Sequence, residues 1–348
     1  SILTSDQFRR LMEEGLLTPL DSLVKKNKFD IQNLLPAVVQ LLRDNGTLYG
    51  ISPNFYSTAL FYNKAIFDEN QISYPKDFMT WDEVINLAQQ FSGLETDLQG
   101  ISQSFQSDPF HFAMTVSRLS GVRFYDPNRN VILFDQPQWR NIFEKTINGY
   151  RSKAIHGGNS QETAQNGQLS QEDILRQQNL FLVGQSAMTI DNYYFIKMLE
   201  HTESVDWDVV TVPILTREQA TTNGFFISNI VAISKETSNM DLSWTLTEFI
   251  NSDKTARMLS KSSFELFART QYNQSKEGKR IEAFYKLNPG DNMYQDDAAT
   301  PSGFLAKVSE IANMELGKVI EGSADLDSAI QNIQKHSQQA LSLLSVSE

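Results

Sequence analysis

Short apolar runs and amphipathic stretches alternate along the whole chain. The first stretch, "DQFRRLMEEGLLTPLDSL", spaces Phe8, Leu11 and Met12 at helical intervals, and Gly15 is placed to end that helix. "YSTALFYN" is a brief apolar run with a β-branched residue and rings on both faces, as in a strand covered on each side. "TWDEVINLAQQFSG" predicts the clearest helix: Thr80 caps it, Glu83 completes a capping box, and Gly93 ends it. Val84, Leu87, Ala88 and Phe91 form its apolar stripe. "YDPNRNVILFDQPQW" reads as a turn, a strand over 131–134 and a helix capped by Asp135.

The polar segment "HGGNSQETAQNGQLSQ", 156–171, predicts an exposed loop. Beyond it, "LVGQSAMTIDNYYFIKMLE" predicts a strand over about 186–190 and a helix starting near Asp191. "WDVVTVPIL" is a further strand broken by Pro213, and "GFFISNIVAISKETSN" is one that begins at Gly224. The remainder is mostly helical and closes on "DLDSAIQNIQKHSQQALSLL", an amphipathic helix capped by Asp325 or Asp327. Alternating helices and strands predict an α/β protein, and 348 residues suit two lobes better than one core.

Between 48 and 72 the rings of Tyr49, Phe55, Tyr56, Phe61, Tyr62 and Phe67 crowd together, although aromatics are only 11% of the chain. Rings on strands are mostly core, which assigns Tyr49, Phe61 and Tyr62 to structure and leaves Tyr56 as a platform for a ligand.

Charge and composition then remove whole classes of function. The net charge is −12, and no Lys/Arg run exceeds Lys25–Lys26, which argues against a nucleic-acid partner. Cysteine is absent, so thiolate catalysis, disulfides and Cys-ligated zinc are excluded. His111, His156, His201 and His336 lack ligand spacing, and "SADLDSAI" lacks the glycine and later glutamate of a calcium loop. No metal or other cofactor is expected. Phosphate-loop, dinucleotide, zincin and nucleophile-elbow motifs are also missing, so the chain reads as a binding protein and not an enzyme. A carboxylate pair for glycoside cleavage could be nominated from 42 acidic residues, but sequence does not show which carboxylates face each other. No apolar run reaches the roughly 18–20 residues of a membrane span, and "SILTSDQF" has no signal-peptide pattern, so it reads as a processed or cut-down start.

What does recur is a ring beside a polar group near a strand end: "SPNFYSTA", "QSDPFHF" and "TIDNYYF". Ligands of α/β sheets bind at such ends. Asp108–Pro109 and Asp191–Asn192 supply helix caps there, and an Asp at such a junction is more often only a cap. Phe110 and Tyr194, just after the caps, are expected to point to the same rim. Flat rings with carboxylate and amide groups suit a neutral polyhydroxylated ligand, because rings cover C–H faces while oxygens accept from hydroxyls.

The order of motifs resembles the solute-binding proteins of ABC importers, extracellular family 1, which includes maltose- and oligosaccharide-binding proteins. The matching pieces are "EEGLLTPLDSL", "NGTLYGISPNFYSTALFYNKAIFDENQI", "MTWDEVINLAQQFSG", "LVGQSAMTIDNYYF", "WDVVTVPIL", "GFFISNIVAISKETSN" and "VIEGSADLDSAIQNI". The resemblance implies a two-lobed periplasmic-binding-protein-like (type II) α/β fold with hinge crossover strands and a ligand cleft between the lobes. Residues 1–60 and 224–297 would form the N-terminal lobe, and 61–223 and 298–348 the C-terminal lobe. Crossings would fall near Leu60–Asn63, Gly224–Ile227 and Ala298–Ser302. The implied function is binding a carbohydrate, an oligosaccharide first, and delivering it to permease subunits of an ABC transporter by lobe closure. A peptide, polyamine or phosphorylated polyol is the alternative solute, and a carbohydrate-active enzyme the alternative class. The implied state is a monomer outside the cytoplasm, tethered as a lipoprotein or free in a periplasm.

Site residues follow position by position from the resemblance. Asp6 matches a pocket carboxylate, and Tyr56 stands where that branch has a pocket glutamate. Asp108 and Phe110 resemble an acidic-Pro-aromatic trio whose ring stacks on sugar. Tyr194 matches a sugar-stacking tryptophan, with Asp191 on the adjacent strand end. Asn223 and Phe225 lie at the return hinge, where smaller residues are usual. The strand, helix and second strand with which that family normally begins have no counterpart in this sequence, and their loss would leave an unpaired sheet edge.

Overall fold

The computed structural model describes residues 1–92, 94, 98–103, 108–155, 179–200, 202, 205–218, 220–263, 265–273, 278–290, 300–301 and 303–344. In chain order the strands are β1 Ile2–Leu3, β2 Arg43–Asp44, β3 Thr47–Leu48, β4 Gly50–Ile51, β5 Asn54–Phe55, β6 Thr58–Asn63, β7 Gln99–Ser102 and β8 Tyr125–Asp126. They continue as β9 Val131–Ile132, β10 Ser186–Asn192, β11 Trp207–Thr211, β12 Thr221–Thr222, β13 Ile230–Ala232, β14 Leu266–Phe267 and β15 Asn288–Pro289. The helices are α1 Ser5–Glu13, α2 Asp21–Lys26, α3 Pro36–Leu41, α4 Lys64–Glu69, α5 Trp81–Gln89 and α6 Pro109–Leu119. They continue as α7 Pro137–Arg151, α8 Phe195–Leu199, α9 Met240–Ile250, α10 Asp253–Leu259, α11 Phe304–Ile320 and α12 Leu326–Leu344.

The main sheet has the order β11-β6-β10-β7, with β6 antiparallel to both neighbours and β10 parallel to β7. Side chains alternate across a strand, and β6 shows the consequence. Leu60 and Tyr62 join one apolar cluster, built with α4 to α7, α11 and α12. Ala59 and Phe61 join another, which holds α1 to α3, α8 and a second sheet, β1-β13-β4. The sheet is thus buried on both faces, as the ring-bearing run "YSTALFYN" predicts.

Local signals place several elements. Thr80 and Glu83 form the expected capping box on α5, and Gly15 follows α1 at φ +68°. Asp325, the earlier of the two expected caps, accepts from the Ser328 N–H at the start of α12. Gln136, not Asp135, stands at the cap of α7, which opens with Pro137 and has no side-chain cap. The strand expected at 131–134 spans only β9. The predicted loop at 156–171 lies outside the described residues.

Three segments run side by side where the two clusters meet. Tyr56 pairs antiparallel with Phe226, and β12 pairs parallel with β15. The passage expected near Ala298–Ser302 falls largely outside the described residues. Arg280 ties its own segment to the main sheet, donating to Asp208 at 2.9 Å and to the Tyr62 hydroxyl at 2.7 Å. Burial pushes that hydroxyl's pKa up to about 12, so Tyr62 stays a structural phenol at any physiological pH.

Candidate ligand-binding cleft

β7 and β10 are parallel, so their carboxyl ends open on the same side. Such ends are where α/β sheets leave room for a ligand. α6 begins beside them, with the Asp108 carboxylate accepting from the His111 N–H at 2.9 Å. Between helix and strand ends lies a cavity of about 250 Å³, with Ser102, Gln103, His111, Thr115, Asp191 and Asn192 in its wall.

This wall holds polar atoms that the fold itself leaves without partners. Ser102 is only 5% exposed, and its Oγ has no hydrogen-bond partner among the described residues. The same holds for Gln103 Oε1, although Gln103 Nε2 reaches the Tyr150 hydroxyl at 3.4 Å. A buried polar atom without a partner costs roughly 1–3 kcal/mol, so a ligand that supplies the partner recovers that loss. Burial pulls the His111 pKa below its ordinary value; the Asp108 charge opposes this and Arg118 adds to it. Burial, with a contribution from Asp108, pushes the Tyr150 hydroxyl up. Near neutral pH the cavity therefore presents a neutral imidazole, with the neutral Tyr150 phenol behind Gln103.

An aromatic rim adjoins the cavity. Asn192 is in register with Thr58, the Ser57 carbonyl accepts from Tyr193 N–H at 3.2 Å, and Asn192 Oδ1 accepts from Tyr194 N–H at 2.9 Å. Tyr56 and Tyr194 therefore leave the same end of the β6–β10 ladder. The Tyr56 ring stacks on Phe226 with centroids 4.9 Å apart and planes within 8°. Tyr56 and Phe226 are each 36% exposed and Tyr194 54%. Large rings left this open beside a polar cavity offer flat surfaces to a ligand.

The expected site residues divide. Tyr56 and Tyr194 leave one end of the β6–β10 ladder, Asp191 lines the cavity, and Asp108 caps the helix that bounds it. Asp191 is still within β10 and is not a helix cap, because α8 begins only at Phe195. Asp6 is exposed in the first turn of α1, 3.8 Å from Arg9. The Ser5 hydroxyl donates to the Ile227 carbonyl, which sets the start of α1 against the segment carrying Phe226. Asn223 packs between turns: its N–H donates to the Leu119 carbonyl, and a Cβ on Gly290 would meet its Oδ1 at 1.9 Å.

Two rings expected at the rim lie in the core instead. Phe110 is 2% exposed, edge-on to Phe134 at 5.9 Å, because its position on α6 turns toward the helical layer. The next residue, His111, faces the cavity. Phe225 is fully buried and stacked on Phe55 at 4.6 Å, and alternation along the extended segment turns Phe226 outward instead. The sequence does not single out Ser102, Gln103, Thr115 or Phe226, and it offers His111 only as a metal ligand, which its spacing rejects. The available signal was the pair Ser102–Gln103 directly after a strand, at the same sheet end as Asp191.

A crevice at parallel strand ends, polar within and aromatic at the rim, beside laterally packed crossing segments, defines a solute receptor. The profile of the bacterial extracellular solute-binding proteins matches residues 2–286. The chain belongs to that family, acts outside the cytoplasm, and has its two-lobed type II α/β fold. No curated protein sequence matches the chain. Among solved structures, an extracellular solute-binding protein family 1 member from Alicyclobacillus acidocaldarius matches with TM-score 0.68 and 13% identity, over 98% of this chain and 83% of that one. The sugar-binding protein MalE from Xanthomonas citri matches with TM-score 0.63 and 15% identity, over 99% and 84%. An ABC substrate-binding protein from Listeria monocytogenes in complex with cycloalternan matches with TM-score 0.60 and 21% identity, over 98% and 84%.

Proposed function

We propose that the chain is a non-catalytic receptor that binds a carbohydrate, an oligosaccharide first, and hands it to the permease subunits of an ABC importer. The observation that carries this reading is the pairing of a cavity lined by unpartnered buried polar atoms with three exposed rings on one rim. Sugars combine apolar C–H faces with hydroxyls, and this surface offers a partner to each. Tyr56 and Tyr194 are the stacking rings, with Asp108 and Asp191 on the polar side. Asp6 and Asn223 approach from across the crossing segments, and Phe110 and Phe225 back the wall from the core. The lobes are 1–60 with 224–297 and 61–223 with 298–348, and they close on the solute as a monomer. The protein is tethered as a lipoprotein or free in a periplasm. That the MalE and cycloalternan-binding relatives share the fold supports a saccharide over a peptide or polyamine.

A thermal-shift screen with mono- and oligosaccharides tests this, since a ligand raises the melting temperature by mass action. A rise with at least one saccharide, and no shortened products after prolonged incubation, is expected. A folded protein with no response across the panel overturns the sugar; accumulating products overturn the receptor.

A further inference from the structure

We propose that the cavity at the ends of β7 and β10 accepts an uncharged, hydroxyl-bearing end of the solute, and that His111 is the residue that determines this specificity. The proposal rests on the carbohydrate reading above and narrows it.

Among the described residues no lysine or arginine lines the cavity; Arg118 of α6 acts on the His111 ring through its charge but is not part of the wall, so an anionic group has no cationic partner there. The start of α6 would ordinarily attract an anion through its exposed N–H groups. Those groups are already taken: the His111 N–H donates to Asp108, the Phe110 N–H donates to Asn313 at 2.9 Å, and Pro109 has none. A phosphate or carboxylate would also face Asp191 in the wall and Asp108 at the cap. Desolvating an anion without a countercharge is strongly unfavourable.

A hydroxyl fits what the wall offers. Gln103 Oε1 accepts, and Ser102 Oγ both donates and accepts. The His111 ring makes no hydrogen bond among the described residues, and as a neutral imidazole it offers one donor and one acceptor. These three groups come from two elements that converge on one cavity and can satisfy adjacent hydroxyls. The charged or titratable groups around the ring are Asp108 and Arg118 on α6, Asp191 on β10, and Tyr150 on α7 beyond Gln103; α11, packed on the same helix, presents Asn313. Protonation of His111 removes its acceptor. Because burial lowers its pKa, this loss sets in at a lower pH than for an ordinary histidine.

Isothermal titration separates the outcomes, with maltotriose, cellotriose and glucose as neutral probes, glucose 6-phosphate and glucuronate as anions, and spermidine as a cation. The neutral probe that binds best is expected to bind at least about tenfold more tightly than either anion or spermidine, and to bind progressively more weakly as the pH is lowered from 7.5 and His111 takes up a proton. His111→Gln, which keeps a donor and an acceptor but does not titrate, is expected to retain binding and lose the pH dependence. Its melting temperature serves as the check on folding. Equal binding of an anion or spermidine, or an unchanged pH dependence in His111→Gln, overturns this proposal while leaving the receptor reading in place. Silence toward every saccharide at pH 7.5 removes the carbohydrate reading and this proposal with it.

Discussion

Arg269 is almost completely buried, and its guanidinium is held by both oxygens of Asp30, at 2.6 and 2.7 Å, and by the Asn251 carbonyl at 3.1 Å. Removing the carboxylate leaves a buried cation uncompensated, a change that typically costs about 3 kcal/mol. Asp30→Asn is therefore expected to lower the unfolding free energy obtained from urea denaturation by that amount, and an unchanged value would show that water reaches the guanidinium. The hydrogen bond from Arg269 holds the Asp30 pKa below its ordinary value. The folded pKa is the lower one, so this stabilisation is present above about pH 4 and is lost as the pH falls through the depressed value. Asp30→Asn should flatten that limb of the acid-unfolding curve. Nothing local announced this pair, whose members are far apart in sequence. The same limit explains the rim. Tyr56 and Tyr194 were legible because each stands at a strand end beside polar residues. Whether Phe110 or His111, and Phe225 or Phe226, turns out of the core depends on a rotation or a pleat that only the packed structure fixes.

At the level of elements, backbone fit decides more than side-chain chemistry. Gly100 of β7 lies against α5, and a Cβ there would stand 2.2 Å from the Ala88 carbonyl oxygen. That atom belongs to a helix backbone and cannot swing aside. Gly100→Ala should destabilise the protein by about 1–3 kcal/mol, the range seen for overpacked cores, and the shift is read by thermal melting. A wild-type melting temperature would mean that α5 slides freely over the sheet. Because β7 ends on Ser102 and leads straight into Gln103, weaker ligand binding should accompany the loss. The start of α5 was legible, since its capping box is a local signal, but the helix stops at Gln89, short of the expected end at Gly93. The end of β10 was not legible: Asp191–Asn192 reads as a helix cap, yet ladder pairing with Ala59 and Thr58 keeps it a strand.

For the whole molecule, alternation of helices and strands made the α/β class legible, and motif order made the two-lobed fold legible. Sequence could not show that β6 serves two apolar clusters at once, that Tyr56 pairs with Phe226, or that β12 pairs with β15. In the proposed receptor, closing of the lobes on a solute would bring rings and cavity onto it together. No helix among the described residues is long and apolar enough to cross a membrane. The most direct test is isothermal titration of the saccharide that best raises the melting temperature, into wild type and Tyr194→Ala. The expected result is one ligand per chain, with affinity reduced about threefold to tenfold by loss of the stacked ring. No heat from any saccharide with folded wild-type protein, or equal affinity in Tyr194→Ala, would contradict a carbohydrate held at this rim.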